Sequence, residues 1–589
     1  MKQKITKKKN LTKKMLVAAM LLGICTFTNS VMAQTWNIGN PDYNSNVKAT
    51  LSGNTLTISG SGNMCDFWVS GAGEAPWHSN TTYLNAIRNV VFAAGSSVTN
   101  IGQRAFKDCG NLQTITIPSS VAKINAQAFY GCSSLTTVTI ENGNQELTFS
   151  RYNNTTDPEF PKGYIYDWFT GCNIQTLQLG RNYTGEGSTQ PFRGISSLQN
   201  LTIGSTVTTI GNSAFADCNL LKTVRFEDGT NTLTLTTSRL SLLTFGNSPI
   251  ETLHIGRPLT ISNTSYQPFA GKTTIKTVTI SRVFTDGTLN AGLFQNCTGL
   301  TSVTFPTSGL TTIGSSVFSG CKTLPAITIP NTVTAIGDDA FYGCETLSSI
   351  SIPSTVSTIG TGAFSNCNLL KNVRFEDGTN TLTLTTSSGV LTFANSPIET
   401  LYINRPLTIS STSNQPFRNK TTLRTLTFGE NVSSIVSDMF SGCTELTEIH
   451  SQKPTPPTAG TNCFYNVNKT TCKLYIPSCS NADAYRAVAA WNFNNIYAEG
   501  STTPCAIGTG IDNVVANQLK IFPNPARTDL FIKSDLLIKK VEIYSLTGTL
   551  LILQNNFNEK ISVSALSQGV YLLKIYTDKG VAVSKVIKE

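Results

Sequence analysis

Adjacent carboxylates are the first residues in this sequence whose types and spacing suggest chemistry. Glu227-Asp228 forms one such pair, and Glu376-Asp377 repeats it. A glycosidase uses two close carboxyl groups as acid and as base or nucleophile. Both pairs, however, stand in Glu-Asp-Gly at the end of a predicted strand, where Asp and Gly are typical turn residues. A faded third copy has Asn142 in place of the aspartate. We therefore interpret the pairs as turn residues and predict no catalytic carboxylate.

Cysteines form the second candidate set, because nine of the fifteen occupy one position of a recurring motif. Export would permit disulfides between them. Alternatively they form a buried column, since a free thiol packs as a small apolar group. Because the repeat fixes their position, we favour the interpretation that these cysteines are packed as buried free thiols. The nine are Cys109, Cys132, Cys172, Cys218, Cys297, Cys321, Cys344, Cys367 and Cys443. A disulfide is compatible with four cysteines that lie outside this position near the end of the repeats, with its pairing left open: Cys463, Cys472, Cys479 and Cys505.

No further pattern predicts an active site, a metal site or a cofactor site. The three histidines, His78, His254 and His450, are too widely spaced to predict a histidine-based zinc cluster. Gly-x-Ser-x-Gly, His-Glu-x-x-His and phosphate-loop motifs do not occur in the sequence. No repeat cysteine is distinguished beside a histidine, as a nucleophile would be. We predict a protein that is not an enzyme and that needs no metal or cofactor.

The elements that must position all these residues are repeats of about 23 residues. Ile101–Cys109 aligns with Ile336–Cys344, and both continue as Leu, two residues, Ile, one residue, Ile, Pro. A 589-residue chain is too long for one core, and a 23-residue period is typical of a leucine-rich solenoid. Each coil would contribute one short strand, with its apolar residues inward and an Ala-Phe pair filling the opposite side. Stacking of coils would bury what no single coil can bury.

A longer duplication lies on top of the repeat. Val224–Leu235 returns as Val373–Leu384, and Asn247–Leu253 returns as Asn395–Leu401. The outward strand positions are mostly threonine, as at Thr137 and Thr139. This row is interrupted inside the duplicated blocks, and we predict a ligand-contact surface there because Arg and Tyr are frequent in binding hot spots. An ordinary solvated sheet face is the alternative. The candidate contact residues are Arg225, His254, Arg374 and Tyr402.

The N-terminus reads as a secretory signal peptide over residues 1–33. Seven lysines within the first fourteen residues precede the apolar run 15–27, and Val31–Ala33 supplies a small-residue cleavage site. The predicted cut lies between Ala33 and Gln34. Removal of the peptide lowers the net charge from +10 to +3, which gives no support for nucleic-acid binding. No later segment reaches membrane-spanning length.

The composition changes after Tyr497. Residues 499–514 read as a Gly- and Thr-containing linker, and 515–589 contains several short alternating strands separated by turns. That pattern predicts a small Ig-like β-sandwich. The chain as a whole is predicted to be mainly β, a leucine-rich-repeat solenoid followed by this sandwich.

The unit Ile-Gly-x-x-Ala-Phe-x-x-Cys-x-x-Leu-x-x-Ile-x-Ile-Pro resembles the BspA-type (treponemal-type) bacterial leucine-rich repeat. Residues 34–97 resemble the β-rich cap that often precedes this repeat. Within 98–498, Cys472–Pro477 and the short helix 483–491 resemble its last coil and C-terminal cap. The resemblance implies a cell-surface protein, commonly one that mediates adhesion to a host matrix protein, a cell-surface protein or a glycan.

The C-terminal segment resembles the type A sorting domain of the type IX secretion system. The matching motifs surround Pro523, Asn524 and Pro525, then Gly548, then Gly569 and Tyr571, and end with the last four residues. The resemblance implies recognition by the type IX machinery and a secreted or outer-membrane surface location. An ordinary adhesion module is the alternative for this domain. We therefore predict an exported adhesion protein that binds protein or glycan; the alternatives are a structural coat or spacer protein and a polysaccharide-active enzyme.

Overall fold

The computed structural model describes residues 33–43, 45–67, 73–153, 164–165, 168–186, 189–237, 243–282, 286–387, 390–411, 414–505, 519–578 and 580–589. These residues divide into two compact units. The first extends to Ile449 and includes Pro457–Asn468; the second comprises His450–Pro456 and Lys469–Glu589. The predicted signal peptide lies outside the described residues apart from Ala33, as do residues 506–514 of the predicted linker.

The first unit is a β-solenoid, as the repeat predicts. In most coils the Leu-x-x-Ile-x-Ile segment forms a short strand in which exposed and buried residues alternate, as in Thr114–Ile117. Alternation follows from the pleat, which sends successive side chains to opposite faces. The first sheet begins with three antiparallel strands and continues with parallel ones. In spatial order its twelve strands are Gln34–Asn37, Lys48–Ser52, Thr55–Ser59, Asn89–Phe92, Thr114–Ile117, Thr137–Ile140, Thr176–Leu179, Asn200–Ile203, Thr223–Phe226, Thr252–Ile255, Thr277–Ile280 and Ser302–Thr304.

This row of strands is interrupted at the coil that contains Pro325. One coil earlier, Thr301 at the equivalent position donates its backbone N–H to the carbonyl oxygen of Lys276 at 2.9 Å. Proline has no N–H to donate, and the fully described stretch 324–330 forms no strand. The strand predicted for this coil is therefore absent. The row resumes with Ser349–Ile352, Asn372–Phe375, Thr400–Ile403, Thr425–Phe428 and Glu448–Ser451.

Shorter strands line the other side of the coils. A five-stranded sheet contains Ser61–Asn63, Ser97–Ile101, Lys123–Ile124, Leu147–Phe149 and Tyr183–Gly185, and a three-stranded one contains Thr209–Ile210, Leu233–Leu235 and Leu259–Ile261. A six-stranded sheet follows with Thr288–Leu289, Thr312–Ile313, Ala335–Ile336, Thr358–Ile359, Leu382–Leu384 and Leu407–Ile409. Two pairs complete the set: Tyr152–Asn153 with Tyr164–Ile165, and Ser434–Ile435 with Thr458–Ala459.

Helix is scarce in the described residues. The two α-helices are Thr81–Ala86 and Ala482–Arg486. Single 3₁₀ turns occur at Pro41–Tyr43, Pro76–Ser79, Cys479–Asn481 and Ala489–Trp491. The short helix expected over 483–491 is thus an α-helical turn followed by a 3₁₀ turn.

A column of aromatic rings fills the solenoid interior. Trp77 begins it, stacked on Phe106 with ring centroids 5.9 Å apart. Neighbouring phenylalanines then follow at centroid distances of 5.2–6.0 Å. Phe245 and Phe393, which lie in coils that match the repeat motif only in part, are full members of the column. The column comprises Phe106, Phe129, Phe169, Phe192, Phe215, Phe245, Phe269, Phe294, Phe318, Phe341, Phe364, Phe393, Phe417, Phe440 and Phe464.

The packing interpretation of the repeat cysteines is confirmed. All nine are free thiols; eight are buried, and Cys172 is half-buried. Cys344 donates its thiol hydrogen to the backbone carbonyl oxygen of Phe318 in the preceding coil at 3.3 Å, and Cys321 does the same to Phe294. The thiol thus fills space and also satisfies a buried carbonyl, which explains why the repeat uses cysteine.

In the second unit, Lys473–Ile476 pairs in parallel with Asn495–Ala498. A disulfide joins Cys479 to Cys505 and resolves the pairing that the sequence left open. The C-terminal strands form a small sandwich of two sheets around one core that includes Ile532, Ile543 and Ile575. The sheets contain Leu519–Phe522, Asp529–Ser534 and Lys560–Ser562, and Leu550–Asn555, Ile538–Tyr544, Gly569–Thr577 and Val581–Lys588.

Candidate functional site

The four predicted contact residues lie on the outward face of the strands, which we call the contact face. Strand register places Arg225 directly beside His254 and Arg374 directly beside Tyr402. Threonine occupies the neighbouring positions: Thr202 pairs with Arg225, and Thr279 pairs with His254. The structure therefore brings the four residues together as two pairs rather than as one cluster.

In the first pair, an aspartate joins the two side chains. Arg225 Nη2 lies 2.7 Å from Asp228 Oδ2, and His254 Nε2 lies 3.3 Å from Asp228 Oδ1. The arginine side chain is 44% exposed and the aspartate 56%. We call this group the Arg225 site. It presents a guanidinium donor and a carboxylate acceptor to solvent, side by side.

The second pair has the same construction. Arg374 Nη2 lies 3.2 Å from Asp377 Oδ1, and the Tyr402 hydroxyl donates to the same oxygen at 2.9 Å. The guanidinium carbon of Arg374 stands 3.7 Å from the Tyr402 ring centroid. Two effects raise the pKa of Tyr402: partial burial, which is the larger, and the hydrogen bond to Asp377. The phenol therefore keeps its proton at neutral pH and acts as a donor. We call this group the Arg374 site.

Asp228 and Asp377 are the functional candidates that sequence reasoning missed. We assigned both to turns, and each lies two residues after the last residue of a strand, at a bend. The paired glutamates bond to the preceding coil: Glu227 accepts from the Ser205 backbone N–H at 3.2 Å, and Glu376 accepts from the hydroxyl of Ser351, an outward strand residue, at 2.8 Å. The aspartates bond instead to the arginine and to the His254 or Tyr402 side chain of their own site. The signal available in the sequence was the repeated Arg-Phe-Glu-Asp spacing, which puts the two charges three residues apart.

A buried arginine braces the loop beneath each site. Arg257 donates from Nη1 to the carbonyl oxygens of Ser205 and Val207 at 3.0 and 2.6 Å. Arg405 donates to those of Pro353 and Asn380, both at 3.0 Å. Burial lowers the pKa of Arg257 to about 10, yet it remains a cation at neutral pH. At the Arg374 site, the Asn380 carbonyl held in this way belongs to the turn that follows Asp377. At the Arg225 site, the two carbonyls belong to the loop of the preceding coil, against which the Asp228 turn stacks.

The sorting-motif residues lie in the C-terminal sandwich, where several converge on the last strand. Asn524, between two cis-proline peptide bonds at Pro523 and Pro525, donates from Nδ2 to the Lys585 carbonyl oxygen and accepts from the Ile587 N–H, both at 2.8 Å. Gly569 pairs with Lys588. The Pro-Asn-Pro loop thus ties the start of the domain to its final residues.

The remaining motif residues shape turns. Gly548 has a positive φ of 85°, a backbone conformation that favours glycine. It closes the turn in which Ser545 and Thr549 are hydrogen-bonded. The Tyr571 hydroxyl donates to the Ser567 carbonyl oxygen at 2.7 Å. At the opposite end of the chain, exposed Ala33 immediately precedes the strand that Gln34 begins.

Within the part of the chain that the structure describes, no helix combines the length and the apolar character needed to cross a membrane. The same residues include no group of three His, Cys, Asp or Glu side chains placed to hold a metal ion.

Two family models match this sequence. The BspA type leucine rich repeat region (6 copies) matches residues 79–185, 148–276, 188–307, 287–423 and 410–501, which together span more than half of the chain. The secretion system C-terminal sorting domain matches residues 520–589. Curated protein sequences yield no significant match.

Several solved structures are similar to this chain. A leucine-rich repeat protein from Bacteroides ovatus is 17% identical, with 72% of this chain and 96% of the other covered and a TM-score of 0.27. A leucine rich cell surface protein from Faecalibacterium prausnitzii is 20% identical over 80% and 96%, with a TM-score of 0.21. The pneumococcal vaccine antigen PcpA is 16% identical over 77% and 98%, with a TM-score of 0.22. No conclusion about ligand or activity rests on these likenesses.

Proposed function

This chain belongs to the BspA-type leucine-rich repeat family, and from that premise we propose that it is a binding protein whose contact face mediates adhesion. Its sorting domain marks it as a type IX secretion substrate. It is accordingly a secreted or cell-surface protein, and the secretion machinery is one of its partners. The proposal concerns what the exported solenoid then does.

One observation carries the proposal: the Arg225 site and the Arg374 site repeat the same arrangement at duplicated positions of the contact face. Each holds an exposed Arg–Asp pair in direct contact with His or Tyr. Most other outward positions carry threonine. Ligand sites combine a small number of fixed polar groups with an aromatic neighbour, and arginine and tyrosine are frequent among residues that dominate binding.

A spacer or coat protein without a ligand would not need these two sites. A polysaccharide-active enzyme is the weaker rival, because Glu227 and Glu376 belong to different blocks and each accepts a hydrogen bond from a serine of the preceding coil. The ligand classes that fit an adhesion protein are a host matrix protein, a cell-surface protein or a glycan.

The test is a binding screen with residues 34–589 against matrix proteins and a glycan array. The double variant R225A/R374A removes both guanidinium groups. The control variant K222A/K371A makes the same change in charge at duplicated exposed positions that lie outside both sites. We expect a ligand that binds wild type and the control but is lost with the double variant. Equal binding by both variants, or hydrolysis of a glycan abolished by E227Q/E376Q, would contradict the proposal.

A further inference from the structure

We infer that the Arg225 site and the Arg374 site bind one neutral, polymeric glycan together, each site taking hydroxyl groups from a different part of the polymer. The inference rests on the proposed binding function of the contact face. It adds the chemical class of the ligand and the number of sites that the ligand must reach.

Charge at the two sites favours a neutral ligand over a polyanion. Each arginine is already paired with an aspartate, at 2.7 Å in one site and 3.2 Å in the other. The two aspartate side chains are 56% and 57% exposed, so an incoming sulfate or carboxylate would meet an accessible negative charge. Because the two charges of each pair cancel, neither site attracts a polyanion over a distance.

Hydrogen-bonding capacity favours hydroxyl groups. A guanidinium carries five N–H donors and a carboxylate about four acceptor positions. The observed contacts within each site use only part of that capacity. Neighbouring hydroxyls of a sugar can accept from the arginine and donate to the aspartate at the same time. His254 adds its second ring nitrogen and Tyr402 its hydroxyl oxygen.

Exposure explains why one site alone would be weak. A net contribution of about 0.5–1.5 kcal/mol per hydrogen bond gives a shallow site with a few such bonds a dissociation constant only in the millimolar range. Linking two sites through one ligand raises the overall affinity by about 100-fold or more when the ligand can span them. A duplicated weak site therefore gains most from a repetitive ligand.

Geometry allows one polymer to span both sites. Arg225 and Arg374 occupy equivalent outward positions of the same solenoid, with six coil steps from the strand Thr223–Phe226 to the strand Asn372–Phe375. At about 4.8 Å per strand, the separation is about 29 Å. Between the sites the contact face carries small polar residues such as Thr279, Thr304 and Ser351, which leave a path for an extended chain.

The experiment measures binding of residues 34–589 to a β-glucan, a mannan and an α-glucan, each as a trisaccharide and as a polymer, with heparin as the polyanionic probe. Calorimetry gives affinity and stoichiometry. We expect one of the neutral polymers to bind at least about 100-fold more tightly than its trisaccharide. Each single variant, R225A or R374A, should bind the polymer only a few-fold more tightly than the trisaccharide. Each should also bind one trisaccharide per protein chain, where wild type binds two. K222A/K371A should match wild type.

Three results would overturn the inference: polymer affinity unchanged in both single variants, a single trisaccharide site in wild type, or a preference for heparin. A matrix protein that binds through both arginines, with no carbohydrate bound, would overturn the glycan assignment but leave the proposed function standing. If R225A/R374A binds every ligand of the wild type equally well, the proposed function fails as well.

Discussion

Lys420 donates a hydrogen bond from Nζ to the backbone carbonyl oxygen of Ser396 at 3.0 Å, and a second to that of Phe393. Both Lys420 and Ser396 stand at the repeat position that cysteine occupies in most coils. Lys272 and Ser248 repeat the arrangement in the other duplicated block. Where the duplication interrupts the cysteine column, a buried lysine takes over the role of satisfying carbonyls in the preceding coil.

Lys420→Met should change the pH dependence of stability. Burial lowers the pKa of Lys420 from about 10.5 to about 8, so between these values the unfolded chain binds more protons than the folded one. Stability contributed by this group therefore rises with pH across that window and is constant below it. The free energy of unfolding of both proteins should be measured with urea at pH 7–10. The value for wild type, relative to that for the variant, should increase by up to about 1.4 kcal/mol per pH unit.

The comparison with the variant is necessary because the thiols act in the opposite direction. Burial raises the pKa of Cys443 to about 12, so its contribution is present at low pH and is lost as pH rises above the unfolded value near 9. Both proteins keep that thiol, and the Lys420 charge lowers its pKa. The difference between the proteins therefore reports the lysine together with its effect on Cys443. Lys272→Met should behave alike, since burial lowers its pKa to about 8 as well. A difference that is flat from pH 7 to 10 would refute the assignment.

Phe341→Ala should lower the free energy of unfolding by about 3–5 kcal/mol, because it removes a fully buried ring from the column. Phe341 stacks on Phe318 and Phe364 at centroid distances of 5.5 and 5.2 Å. Chemical denaturation followed by circular dichroism measures the loss. The neighbouring Tyr342 is 40% exposed, and Tyr342→Ala is the matched control, expected to cost much less. Equal costs for the two variants would argue against the column as a source of stability.

Most thiols should be inert in the folded protein. Among the described cysteines outside the disulfide, Cys65 and Cys172 are half-buried and the others are buried. Burial raises the pKa of Cys344 well above its usual range, and only the thiolate reacts with an alkylating reagent. Iodoacetamide and mass spectrometry should find at most two sites modified rapidly in the native protein and twelve after unfolding. Rapid modification of the repeat cysteines under native conditions would show that the coils open readily.

Asn524→Ala should weaken the C-terminal domain and its recognition for secretion. The substitution deletes two hydrogen bonds to the last strand, at Lys585 and Ile587, and should cost about 1–3 kcal/mol at about 0.5–1.5 kcal/mol each. Fractionation of cells that express the full chain should show less protein at the surface and in the medium. Asn555→Ala, at an exposed position on another strand, should leave export unchanged. Normal export of Asn524→Ala would mean that the loop is not read through its tie to the last strand.

Much of this fold follows from the sequence because the responsible forces act locally. A 23-residue period with an inward Ile-x-Ile pair and a recurrent Phe specifies the coil, the strand and the buried ring in every copy. The same locality explains the error at Pro325: the apolar pattern predicts a strand, but the missing N–H removes a hydrogen bond to the coil before it.

Only the tertiary structure decided the contacts between residues of different coils and strands. Arg225 and Asp228 are close in the sequence, but their contact with His254 depends on the register between successive coils of unequal length. The same holds for Lys420 in the cysteine column, for Asn524 against the last strand and for the pairing of Cys479 with Cys505. Hydrogen bonds and ion pairs require an alignment within a few tenths of an ångström. Such an alignment is set by stacking the whole solenoid and by closing the sandwich, and no single repeat contains it.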